Sequence, residues 1–124
     1  MCSSSSASPP TDTVDTGQIV VASCGAPREK FWGVLLSLTP AGATVRAVPL
    51  EAFDDFVSQF REGHQVLIAP MTVFLPSHRL ERIELDESGV GLEGLGDRFR
   101  RLTRRDALST LLGSPSEDEP APEM

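Results

Sequence analysis

The stretch KFWGVLLSL, residues 30–38, decides how this chain folds. Two large aromatics stand side by side, a glycine follows, and apolar residues then fall on both alternating sets of positions. Successive side chains of a strand point to opposite faces of its sheet. Phe31 and Trp32 therefore cannot share one core, and a strand here has to be covered twice. Trp32, Val34, Leu36 and Leu38 form one set; Phe31, Gly33, Leu35 and Ser37 form the other. The alternation predicts that the first set lines the interior of a small barrel, with Gly33 letting the strand bend. Phe31 and Leu35 then lie outside it, beneath a helix or a second chain. Burying one such side chain contributes about 2–3 kcal/mol, too much for a cluster of them to stay in water.

Outward from this stretch the chain reads as short strands. QIVVASC (18–24) is a first strand, rich in β-branched residues, and GAPREK (25–30) a loop. TPAG (39–42) is a tight turn that makes a hairpin of the second strand and the third, ATVRAVPL (43–50). In LEAFDDFVSQFREG (50–63), Phe53, Phe56, Val57 and Phe60 recur at helical spacing, acids come early and Gly63 is a natural stop. QVLIAPMTVFLP (65–76) reads as a fourth strand bent or interrupted at Pro70, SHR (77–79) as a turn and LERIELDE (80–87) as a fifth strand. SGVGLEGLGD (88–97) reads as a flexible glycine-rich linker. Two short helices follow, with Leu95, Phe99 and Leu102 on the apolar side of the first and Leu108, Leu111 and Leu112 on that of the second. Thr103, with Asp106 three positions on, reads as the cap between them.

The fold class is mainly β, or α+β: a small five-stranded barrel with a helix between strands 3 and 4 and short C-terminal helices. Residues 1–16 read as a Ser/Pro-rich disordered arm and 17–87 as the barrel. Residues 88–113 read as linker and helical appendage, and 114–124 as an acidic disordered tail. The net charge of −7 divides unevenly. All 11 Lys and Arg lie between residues 28 and 105, while six of the 18 acids lie in the two ends, leaving 12 acids against 11 bases between them. The acidity thus belongs to the ends and does not bar an anionic partner. No apolar run approaches the roughly 20 residues of a membrane span. The first residues lack the basic start and apolar stretch of a secretory signal. Two cysteines make no disulfide framework. A cytoplasmic setting is expected.

Five short strands in a meander, a glycine-bearing bent second strand and the segment VFLPSHRLERIEL (73–85) resemble the small SH3-like barrels, the Sm-like proteins above all. KFWGVLLSLTPAGATVR, FDDFV and VFLPSHRLERI are also similar to a bacterial protein family of unassigned role. The Sm-like resemblance implies RNA binding. Sm-like RNA binders carry an Asp-x-aliphatic-Asn motif near the second hairpin and a basic motif in the last loop. Here those places hold Thr39-Pro40-Ala41-Gly42 and Ser77-His78-Arg79.

Candidate sites follow from residue types. Apolar stripes outnumber catalytic groups, which points to a non-enzymatic protein–protein interaction or adaptor module. Its contact surface is expected at Phe31, Leu35, Phe53, Phe56 and Phe60, or on the helices at 95–112, the partner being another protein or a second copy. The alternative is nucleic-acid or other anion binding through Arg98, Arg100, Arg101, Arg104 and Arg105, with His78 and Arg79. The bland reading of those five arginines is a solvated face paired with Asp97 and Asp106. His64, His78 and Cys24 lack metal-ligand spacing. The carboxylates Asp54, Asp55, Glu81 and Glu84 read as wet faces, and the glycines at 89, 91, 94 and 96 lack the lysine of a phosphate loop. No catalytic residue, metal or cofactor is expected.

Overall fold

The computed structural model describes residues 14–61 and 68–113. The fold is mainly β. One antiparallel sheet has the strand order β4-β3-β2-β1-β5. Its strands are β1 (Ile19–Cys24), β2 (Glu29–Thr39), β3 (Gly42–Pro49), β4 (Met71–Pro76) and β5 (Leu80–Leu85). A 3-10 turn, Leu50–Ala52, leads from β3 into α1 (Phe53–Arg61), and α2 (Leu95–Thr103) and α3 (Ala107–Leu112) follow the sheet. No helix among the described residues is long and apolar enough to cross a membrane. The part of the expected fourth strand at 65–67 lies outside the described residues; within them the strand begins at Met71, after Pro70.

Both faces of the sheet are indeed covered, but the two sets of β2 residues are exchanged relative to the expectation. Trp32 and Val34 face the helices. They form a core with Val48, with Phe53, Phe56 and Val57 of α1, with Phe99 of α2, and with Ala107 and Leu111 of α3. Leu35 lies in the other core, with Val20, Ala22, Cys24, Ala43, Val45, Ala47 and Leu75; Phe31, Val73, Leu80, Ile83 and Leu85 pack around it. The expected stripe also breaks. Leu35 pairs with Val45 and Ser37 with Thr44, so Leu36 is the extra residue of a bulge. A bulged residue sets two residues against one and reverses every face beyond it. Leu36 and Leu38 are exposed rather than internal.

Gly33 lies between Val20 of β1 and Ala47 of β3. A Cβ there would collide with the Arg46 carbonyl and with Ala47. The close approach of β2 and β3 at this point therefore needs glycine.

One carboxylate ties the helical layer to the sheet. Asp86, just after β5, accepts from the Trp32 indole Nε1 (3.0 Å) and from the backbone N–H groups of Leu95 and Gly96 (2.6 Å each). It thus caps α2 with a negative charge where the first N–H groups of a helix lack partners. Residues 88–94 make a turn closed by a Gly89–Leu92 bridge and by Ser88, whose hydroxyl accepts from Gly94 N–H. The corner between α2 and α3 also differs from the expectation. Thr103 donates back to the Phe99 carbonyl, Arg104 turns left-handed, and Asp106 is the cap of α3, accepting from Ser109 N–H at 3.0 Å. Leu111 is buried, but Leu112 points to solvent.

Candidate interaction surface

The expected apolar surface is not on the outside. Phe53 and Phe56 are buried beneath α1 and Leu35 is buried on the opposite side of the sheet. Phe31 and Phe60 are half-buried. The phenylalanine stripe belongs to an aromatic cluster. Phe53 meets Trp32 edge-on at 5.0 Å, and Phe56 stacks on Phe99 at 5.6 Å. Phe60 contacts Phe56 and Phe99 at 5.1 and 5.7 Å. Such pairs contribute about 0.5–1.5 kcal/mol each beyond their burial. Stripe spacing shows that a helix face is apolar; it does not show that the partner lies forty residues further along the same chain.

The described surface carries exposed apolar side chains elsewhere. On β4, an outer strand of the sheet, Met71 is 54% and Phe74 52% exposed. The register puts Phe74 on the helix-bearing face, across from Thr44, and Met71 on the opposite face, across from Ala47. β4 pairs with β3 on one side and with no other strand among the described residues, so its outer N–H and C=O groups face away from the sheet. Leu36, Leu38 and Leu112 are the further exposed aliphatics on β2 and α3. Sequence reading missed Met71 and Phe74 because MTVFLP is apolar at both alternating sets, and edge position is a property of topology.

All five arginines of the 98–105 cluster are exposed, but they are not equivalent. Arg101 forms a two-pronged pair with Glu93, at 2.8 and 2.9 Å. That hydrogen-bonded guanidinium holds the Glu93 carboxyl below its usual range, and Glu93 in turn raises Arg101. Arg105 lies over the Phe60 ring, 4.8 Å from its centre, and closes the aromatic cluster. Arg98, Arg100 and Arg104 make no side-chain pair among the described residues. The expected pairing with Asp97 and Asp106 is not formed among the described residues: Asp97 accepts from the Ser88 hydroxyl and Asp106 caps α3.

Arg79 is a structural residue. It reaches the carbonyls of Gly25 and Pro27 at 3.1 and 2.8 Å and the Glu29 carboxylate at 3.3 Å, pinning the β1–β2 loop to the β4–β5 turn. His78 is exposed beside it, and His64 lies outside the described residues. Among the described residues no three His, Cys, Asp or Glu side chains gather as metal ligands. Cys24 is free and buried, and burial pushes its thiol pKa up. A groove of about 500 Å³ opens where β2 begins and β3 ends, lined by Arg28, Glu29, Lys30, Phe31, Pro49, Leu50 and Glu51. Its charges are mixed.

No protein-family model matches the chain, and neither a curated protein nor a solved structure is significantly similar to it.

Proposed function

We propose that the chain is a non-enzymatic interaction module built on a small barrel of the SH3-like or Sm-like kind, working in the cytoplasm. We place its contact surface on the open edge of β4. The observation that carries this reading is the pairing of an outer strand with two half-exposed large side chains, Met71 and Phe74, one on each face of it. An unpaired strand edge is a template for a further strand, and flanking apolar side chains add area and selectivity. The barrel reading is supported by the second core, in which Leu75 of β4 and Leu80 and Ile83 of β5, from opposite margins of the sheet, pack with the same residues.

The partner is a protein strand, from another protein or from a second copy. Size-exclusion light scattering separates the two: a mass above one chain that returns to one chain in Phe74→Lys marks self-association. Capture of a partner by the wild type but not by Phe74→Lys marks a heteromeric contact. A wild-type monomer whose captured partners are unchanged by Phe74→Lys and Met71→Glu would defeat the proposal.

A second reading is favoured by a separate observation, the three guanidinium groups of Arg98 and Arg100 on α2 and Arg104 at its C-terminal cap, none of them in an ion pair among the described residues. Arg98, Arg100 and Arg104 form a basic surface suited to a phosphate backbone. It predicts low-salt binding of single-stranded RNA that weakens steeply as salt rises. Binding by the Arg98→Gln/Arg100→Gln/Arg104→Gln variant equal to that of the wild type would eliminate it.

A further inference from the structure

We propose that the exposed arginine face of α2 is the docking surface of the chain's own acidic segment, residues 114–124. This contact is intramolecular; it is independent of the β4 reading and would compete with a nucleic acid for the same arginines. Residues 93–106 carry five arginines and three acids, Glu93, Asp97 and Asp106, a net of +2. Residues 114–124 carry Glu117, Asp118, Glu119 and Glu123 and no base, a net of −4. Among the described residues the acids nearest the arginines in sequence are already engaged. Glu93 holds Arg101, Asp97 holds Ser88, and Asp106 holds the first turn of α3. Arg98, Arg100 and Arg104 form no ion pair there; Arg98 still acts on the Glu93 charge, and Arg100 and Arg104 are the freer cations.

Chain length and direction favour the same occupant. α3 is six residues long, so Gly113 at its end stands about 9 Å along the helix from the corner that carries Arg104 and Arg105. The end of α3 is fixed to the sheet, because Arg46 Nε donates to the Leu111 carbonyl at 3.0 Å. Eleven residues beyond it reach up to about 36–40 Å when extended, against about 14 Å for the nine residues of α2. The tether places the acids near the arginines at an effective concentration of the order of millimolar, enough for a weak charge contact to form within one molecule. Exposed charge pairs are screened, so the contact belongs to low ionic strength.

The test uses the isotopically labelled full chain. The amide resonances of residues 114–124 are compared between wild type and Arg98→Gln/Arg100→Gln/Arg104→Gln. At about 0.01 M salt the tail resonances are expected to differ between the two proteins. At about 1 M salt, where charges a few ångströms apart are screened, the difference should vanish. The reciprocal variant, Glu117→Gln/Asp118→Asn/Glu119→Gln/Glu123→Gln, is expected to shift the side-chain resonances of Arg98, Arg100 and Arg104, and it settles the question should the arginine variant fold poorly. Tail resonances identical in both proteins at low salt, with arginine side chains unmoved by the reciprocal variant, would overturn the proposal. So would a difference that grows with protein concentration, since the tail would then be on another molecule.

Discussion

The face of the sheet that carries the helices and the face turned away from them are both dry, but by different means. On the helix side a large central group, Trp32, is wrapped by aromatics from α1 and α2 that come from far along the chain. On the other side no helix of the described residues joins the core. The residues there are smaller, Val20, Ala22, Cys24, Ala43, Val45 and Ala47 among them, and side chains from both outer strands complete it. The first face is covered by added elements, the second by the sheet's own margins. Gly33 belongs to the second face and Trp32 to the first, one residue apart.

Substitutions that strike one face and spare the other test this contrast. The largest effect is expected for Trp32→Ala, which removes the centre of the aromatic layer and strands Asp86 without its indole donor. Large-to-small changes of this type cost about 3–5 kcal/mol, and urea unfolding should record that loss. Gly33→Val should cost about 3 kcal/mol by overpacking the second face against β3, with the aromatic near-ultraviolet signal of the first face kept under native conditions. Equal loss of that signal would mean that the two faces form a single packing unit.

Asp86→Ala removes an acceptor shared by Trp32, Leu95 and Gly96, and an expected cost of about 2 kcal/mol follows for donors left unsatisfied. Hydrogen exchange should show the loosening concentrated in α2 and α3. Cys24 gives a pH test of the second face. Its folded-state pKa is raised by burial, so the neutral thiol stabilises the native state below the unfolded thiol pKa, about 8.5. That contribution is lost as pH rises from there through the folded pKa. The stability of wild type should therefore fall above about pH 8.5 more than that of Cys24→Ala. The smallest effect is expected for Glu93→Gln, since the Glu93–Arg101 pair is fully exposed. The unfolding midpoint should not move measurably.

Much of this was legible before the coordinates. Four strands, β1, β2, β3 and β5, and the phenylalanine helix lie within a few residues of where alternation and helical spacing put them, and the doubly greasy second strand marks a doubly covered sheet. What could not be read was handedness of burial. A single extra residue, Leu36, reverses the stripe that alternation would carry from Trp32 to Leu38, and bulges leave no mark in a sequence that is apolar on both sets. The exposed apolar side chains were misjudged for a related reason. Phe53, Phe56 and Phe60 form an evident stripe, whereas Phe74 looks like any strand residue. Which of them meets solvent depends on the order of strands and on where Phe99 and Leu111 come to rest.

Trp32 is the chain's one tryptophan. It is sealed from water, edge-on to Phe53 and bonded through its indole nitrogen to the carboxylate that starts α2. Nature has thus placed a lone fluorophore at the seam between sheet and helices. Excited at its own wavelength, the unlabelled protein should emit toward the blue while α2 sits in place and shift to the red once the seam opens, so the attachment of the helical layer can be followed in real time without a dye.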